Sequence, residues 1–378
     1  MPLFEGLVEM LQCPHARVPL AVMGDRELGE LNSEIARGGA RHGSGDAVTL
    51  PVEGALAAID GTAAYAIRDG VPDLLPERRI VRGVRPPQPI RPDPRSDAFE
   101  VWDARWDHLS QNWHLIGPPL RPFPEDVDLL RRLVDEAAVG APRGGARALL
   151  LGVTPEIAAM RWPAGTALLA LDSSKGMIRN LWPRHGARDA AAARGDWTAM
   201  PVRDGACDVL VGDGIFTTLQ YPDHFLALAG EMRRVLRDTG TLVMRLFARP
   251  EEREPLEAIF SDLRDGRTVN EHILPWRIAM AVHGDLSERA RLGDIWDAWR
   301  EHVPDAGAVL DRLGRPPDAM DFLEVYRDVD ARVSLPTLGE VRDLLGRDFV
   351  ERACHVPRYE AGDQYPTVVF TPRRRAGS

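Results

Sequence analysis

The chain has 378 residues, 44% of them hydrophobic, and a formal charge of −10. That length buries a full core and accommodates two domains or one large decorated one, while the acidity argues against a nucleic-acid surface. Cys13, Cys207 and Cys354 are the whole cysteine complement, so neither a disulfide framework nor a four-cysteine metal site is available. No apolar run reaches membrane-spanning length, and Glu5 and Glu9 stand where a signal peptide would be basic, so a soluble cytoplasmic protein is expected.

From the N-terminus, Met10 to Leu20 reads as a strand-like start. Asp25 to Arg37 has helical spacing with Leu28, Leu31 and Ile35 on one face, and Ala64 to Pro76 reads as a strand running into a turn. Leu11-x-Cys13-Pro14 near the start and Tyr65-x-Ile67-Arg68-Asp69-Gly70-x-Pro72 near the end bracket a small α+β unit, residues 1–80. It resembles the small zinc-ribbon-like proteins that bind and activate methyltransferases. In this chain the metal ligands of that pattern are lost. Ala16 stands where a second cysteine would complete the knuckle, and Cys13 with His15 offers two ligands where a closed structural zinc takes four, so no metal is expected.

A proline- and arginine-rich stretch, residues 81–98, is expected to be an extended linker. Trp102, Trp106, His108, Trp113 and His114 follow, then Arg121, and then the helical spacing of Val127, Leu130, Leu133 and Val134. Tryptophans spaced four and seven apart pack a helix on a core, and that reading is preferred for Trp102 and Trp106.

The run Ala148-Leu149-Leu150-Leu151 stops at Gly152 and turns through Val153-Thr154-Pro155: a buried strand, a turn and a helix with Thr154 as N-cap. A second run, Ala167 to Leu171, ends on Asp172, the spacing at which a strand-helix-strand crossover presents an acid to a ribose. Gly195-Asp196-Trp197 follows, then the strand Asp208 to Asp213. A helix from Asp223 is expected to be closed by Gly240 before a strand Thr241 to Phe247.

These pieces resemble the core of a class I S-adenosylmethionine-dependent methyltransferase of the type 11 kind. The resemblance is carried by Leu151-Gly152, Leu171-Asp172-Ser173-Ser174 with Met177-Ile178, Gly195 to Pro201, and Glu231 to Arg237 leading to Gly240. It implies an α/β fold with a Rossmann-like seven-stranded sheet, S-adenosylmethionine as cofactor, and transfer of its methyl group to a small-molecule O, N or C acceptor. On this chain the implied cofactor residues are Gly152, Val153, Thr154, Asp172, Ser173, Met177, Gly195, Asp196, Trp197, Asp213, Gly214 and Ile215. The implied segment over the cofactor contains Trp113, His114 and Arg121. The first loop departs from the acidic, glycine-rich pattern, with Leu150 at the acid position and Thr154 and Glu156 replacing two glycines. For a polar or basic role at the reacting centre, Asp213 comes first, with His114, His224 and His272 as further candidates.

Residues 250–336 interrupt the core (99–249 and 337–378) as a helical block, with runs at Leu292 to Trp299 and Met320 to Val329. Placed after the fifth strand, it would be a lid over the acceptor. Phe349 to Val356 and Pro366 to Thr371 read as a closing hairpin. The partner expected is a small-molecule acceptor, with no membrane, nucleic acid disfavoured and a homodimer left open. Two alternatives stand beside this reading. Gly152 with Asp172 also meets part of a nicotinamide-binding fingerprint, and the altered loop suits an inactive, partner-binding scaffold.

Overall fold

The computed structural model describes residues 5–82, 95–141, 145–183 and 189–374. Seven strands form the main sheet: β7 (Arg147–Leu151), β8 (Ala167–Asp172), β9 (Ala190–Arg194), β10 (Cys207–Asp213), β11 (Leu236–Arg245), β14 (Phe349–His355) and β15 (Thr367–Pro372). A smaller sheet holds β1 (Leu20–Val22), β2 (Ala40–His42), β3 (Gly54–Ala58), β4 (Ala64–Arg68), β5 (Val71–Pro72) and β6 (Ile80–Arg82), and a two-stranded ribbon pairs β12 (Ala290–Arg291) with β13 (Arg332–Val333).

The main sheet runs β14-β15-β11-β10-β7-β8-β9, parallel from β11 to β9, with the β14–β15 hairpin antiparallel at one edge. β7, β8 and β10 are nearly continuous apolar runs because helices cover both faces of the sheet. The order reverses between β10 and β7, which opens a crevice beyond their carboxyl ends. This is the α/β, Rossmann-like arrangement that the sequence predicts. One boundary differs. β11 begins at Leu236, which pairs with Cys207, so the helix Asp223–Val235 ends there and Gly240 lies inside the strand.

The helix Asp25–Ala36 packs Leu31 and Ile35 onto the smaller sheet, but the N-terminal segment also shares the main core. Leu7, Met10, Leu11, Cys13 and Leu20 sit in the same apolar cluster as Leu149, Leu169 and Leu210. Backbone bonds stitch the join, from Gln12 N to Pro201 O at 3.0 Å and from Arg203 N to Met10 O at 2.8 Å. On the other edge of the main sheet, Asp73 bridges Arg194 of β9 and Leu74 N donates to the Arg194 carbonyl at 2.8 Å, covering an otherwise open strand edge. The Cys13 sulfur lies 3.3 Å from the Tyr65 hydroxyl, His15 is exposed, and the described residues contain no cluster of three metal-ligating side chains.

The expected linker is shorter than 81–98. Residues 81 and 82 belong to β6, and a helix spans Arg95–Gln111; residues 83–94 lie outside the described residues. The block after β11 has its own core, with helices Leu256–Arg264, Leu274–Val282, Gly293–His302 and Ala306–Arg312. The run expected over Met320 to Val329 is a 3₁₀ segment, Asp321–Tyr326. Phe247 at the end of β11 meets Trp276 and Tyr365 edge-on, at 5.1 and 5.2 Å between ring centroids, and so anchors the block to the sheet. No helix among the described residues is long and apolar enough to cross a membrane.

Candidate cofactor and acceptor site

The crevice holds two adjoining cavities. The first is built from the carboxyl ends of β7, β8 and β10, with Gly152, Asp172, Asp196, Trp197, Asp213 and Gly214 in its wall; Val153, Thr154, Ser173, Met177 and His224 also line it. Gly152 has φ +91°, and a Cβ there would stand 3.6 Å from the Trp197 ring and 3.8 Å from the Asp172 carboxylate. Those are ordinary contact distances, so it is the left-handed backbone that calls for glycine here.

Asp172 is buried at the tip of β8. Its Oδ1 accepts from Ser174 N at 2.8 Å and its Oδ2 from Val153 N at 2.9 Å, tying the first two loops of the sheet together. Each oxygen keeps a further lone pair for a ligand. Burial pushes the carboxyl up to about 6, and the two backbone donors pull the other way. Ser174, rather than Asp172, caps the next helix, accepting from Met177 N at 3.3 Å. Asp196 Oδ1 accepts from the backbone and hydroxyl of Thr198, at 2.7 and 2.8 Å, and the Trp197 indole donates to Leu171 O at 2.7 Å, fixing its ring across the cavity.

The departures in the first loop have a structural use. Thr154 starts the short helix Pro155–Ala158 as N-cap, but its hydroxyl makes no capping bond and instead donates to Asp213 Oδ2 at 3.2 Å. Glu156 Oε1 accepts from Trp113 Nε1 at 3.2 Å and from Arg121 Nε at 2.6 Å, which clamps the segment before β7 over the site.

Asp213 Oδ1 accepts from Arg245 Nε at 2.7 Å, so both carboxylate oxygens are held. Asp213 anchors the cavity wall; it is not an unengaged base. Arg245, wholly buried, also donates to Pro119 O at 3.0 Å and lies 3.7 Å from Asp126, which accepts from the Tyr359 hydroxyl at 3.1 Å. Desolvation raises the Asp126 carboxyl and the nearby Arg245 cation opposes it. The arginine at the end of β11 reads from sequence as ordinary strand punctuation, and only the fold brings it to two acids. Asp103, on the helix Arg95–Gln111, is a second residue that sequence reasoning missed. It lines the cavity, pairs with Arg194 at 3.6 Å, and has a buried Oδ1 without a protein partner.

Three expected site residues lie elsewhere. His114 is exposed on a 3₁₀ turn and lines neither cavity. Gly195 faces the core, where a Cβ would meet Leu171 at 2.6 Å. Ile215 is buried in the apolar cluster under the site. Trp102 and Trp106 stack with centroids 6.2 Å apart and pack against the core as expected, but they also form the wall shared by both cavities.

The second cavity, about 270 Å³, lies between the helix Arg95–Gln111 and the helical block. It shares Trp102, Trp106, Leu120, Thr217 and Thr218 with the first. Its own walls are mostly apolar, with Trp276, Phe322 and Tyr326 prominent, and carry His272 and Arg105. His272 packs 4.6 Å from the Phe322 ring and against Gly117, where a Cβ would meet the imidazole at 2.1 Å. Burial lowers its pKa, so the ring is neutral at pH 7.

Residues 151–244 match the model of a methyltransferase domain. The chain carries a methyltransferase domain. S-adenosylmethionine is the cofactor that the sequence resemblance implies for such a domain. The residues present fit that group: the turn at Gly152, the carboxylate of Asp172 beside it, and the unpartnered Asp103 oxygen form a cradle with acceptors for hydroxyl and amino groups.

Solved structures resemble the chain at low identity. A Rhodobacter sphaeroides protein described as a putative zinc-dependent alcohol dehydrogenase is 15% identical with a TM-score of 0.47, covering 74% of this chain and 99% of its own. The N-methyltransferase NodS from Bradyrhizobium japonicum WM9, solved with S-adenosyl-L-homocysteine, is 11% identical with a TM-score of 0.40, covering 74% and 100%. A TehB-like methyltransferase from Corynebacterium glutamicum is 13% identical with a TM-score of 0.39, covering 71% and 99%. No curated protein matches the chain.

Proposed function

We propose that the protein methylates an O, N or C atom of a small molecule held in the second cavity. The observation that carries this reading is the pair of adjoining cavities with a common wall of Trp102, Trp106, Leu120, Thr217 and Thr218. S-adenosylmethionine supplies an electrophilic methyl group on a sulfonium, so the protein need provide neither a nucleophile nor a metal. Its work is to hold the acceptor in line at near-attack distance and to exclude water. The helical block acts as the lid: Trp276 and Phe322 shape the acceptor space. His272, neutral and facing that space, takes the proton from an acceptor that must lose one.

Titration calorimetry of the full chain with S-adenosylmethionine, its demethylated product and NAD tests the assignment. Binding of the first two is expected; binding of NAD alone would overturn it.

The N-terminal unit serves, on this reading, as an activator-like module acting within the same chain. Support comes from the core it shares with the sheet and from Asp73, which reaches Arg194 at 3.4 Å, while the Arg194 Nε donates to Ser173 O at 2.8 Å behind the cofactor loop. Removing residues 1–82 uncovers that core, so the truncated chain should be poorly soluble or lose S-adenosylhomocysteine binding. A soluble truncation that binds as tightly as the full chain would remove the module from the mechanism.

A further inference from the structure

The three buried arginines among the described residues each have a carboxylate partner. Arg233 meets Asp238 at 2.6 Å, Arg245 meets Asp213 at 2.7 Å, and Arg277 meets Asp262 at 2.8 Å. Arg105, half-buried, has none. It projects from the helix Arg95–Gln111 into the second cavity, its guanidinium 5.7 Å from the centroid of the Tyr326 ring. Among the described residues no carboxylate comes within ion-pairing distance of it, and its surroundings include Leu109, Val325 and Phe322. Burial lowers its pKa, and the effect opposing this comes from Tyr326, a buried phenol that stays protonated at neutral pH. A cation held among apolar side chains with only a ring face for company is costly unless an anion arrives to pair with it.

We infer that the methyl acceptor is a compact carboxylic acid with an apolar, ring-sized body, and that its carboxylate pairs with Arg105. This rests on the acceptor reading of the second cavity. Arg105 lines this cavity and not the first, so the carboxylate is the anchor and the methylated atom is the one that reaches the wall shared with the cofactor space, at Thr217 and Thr218. A guanidinium suits the task because its planar fork matches both carboxylate oxygens at once. At about 270 Å³ the cavity lies near the small end of ligand sites, which run from about 300 to 1,000 Å³, and this suits a compact body.

The experiment titrates full-length protein, saturated with S-adenosylhomocysteine, with a panel of aryl and arylalkyl carboxylic acids (benzoate, phenylacetate, 3-phenylpropionate and indole-3-acetate) and their uncharged amides. At least one acid should bind about tenfold or more tighter than its amide, the advantage expected of a charge-assisted pair. Arg105→Gln should erase the difference. Arg105→Lys, which keeps the charge and guards against a folding defect, should retain part of it. S-adenosylhomocysteine affinity should stay within about twofold in both variants, since roughly 0.4 kcal/mol is all that change represents. No acid binding, equal binding of acid and amide, or an acid preference that survives Arg105→Gln would overturn the inference while leaving the cofactor site intact. Failure of S-adenosylhomocysteine to bind the parent protein would instead sink the functional reading beneath it.

Discussion

The two cavities are built by different means. The cofactor cavity is made at the ends of parallel strands, from backbone donors, one glycine and a few acids whose positions follow from strand spacing. The second cavity, proposed for the acceptor, is made where a helix from before the sheet meets a helical block inserted after β11, and its walls are side chains far apart in sequence. A site fixed by the sheet can bind one cofactor with any acceptor, whereas a site assembled from insertions can change its acceptor without disturbing the sheet.

If that division holds, a substitution in the acceptor cavity should alter turnover and spare cofactor binding. His272→Gln gives the largest effect expected. Removing a proton acceptor costs typically about 10²- to 10⁴-fold in rate where a proton must leave, so kcat should fall by that order with S-adenosylhomocysteine affinity unchanged. In the parent protein, kcat should rise with pH through a midpoint below the ordinary histidine value, because burial disfavours the imidazolium. Methylation kinetics from pH 5 to 8 check both. Full kcat in the variant would take the histidine out of the chemistry.

The same division explains what the sequence makes legible. Ala148–Leu151 followed by Gly152, and Ala167–Leu171 followed by Asp172, are local signals: a buried strand reads as an apolar run, and the twenty-residue interval sets the crossover. Gly195 and Ile215 lie next to the right loops for the same reason, but the path of the chain after β9 and β10 turns both toward the core. Arg245, Asp126 and Tyr359 come from three separate segments and have no local pattern, so their meeting is invisible before the chain is folded. Arg105 is one more arginine in an arginine-rich chain until its surroundings are known. Glu156 reads as a lost glycine, yet it is the clamp for Trp113 and Arg121.

Arg245 braces the wall of the cofactor cavity through Asp213, and its loss should show as instability before anything else. Arg245→Met leaves Asp213 and Asp126 buried without their cation, and breaking a buried ion pair from one side costs about 3–5 kcal/mol. Urea unfolding should report a loss of that order, and the double change Arg245→Met with Asp213→Asn should recover part of it. A stability change within about 0.5 kcal/mol, the usual range for a surface substitution, would mean that the network is solvated and does not hold the wall.

Asp172 separates the two cavities most finely, because pH should move its two contributions in opposite directions. Its carboxyl is raised from 3.8 to about 6 by burial, so between those values the native state keeps a proton that the unfolded chain has released. Stability from this group therefore falls as pH rises through that window. Cofactor binding runs the other way. The ionised form would accept charge-assisted hydrogen bonds from ribose hydroxyls while still holding Val153 N and Ser174 N, and the protonated form would give up one acceptor position. Removing the side chain should weaken S-adenosylmethionine binding by roughly ten- to several hundred-fold, from charged hydrogen bonds of about 1.5–3 kcal/mol. Protonation is gentler: each pH unit below the midpoint reduces the competent form about tenfold, so affinity should drop by about that factor between pH 7 and 5. Calorimetry of the parent and of Asp172→Asn across that range decides the matter. The parent should show the slope, and the variant, which cannot titrate, should bind weakly and without it. A slope of equal size in both would assign the pH dependence to another group and leave Asp172 as a structural tie between two loops.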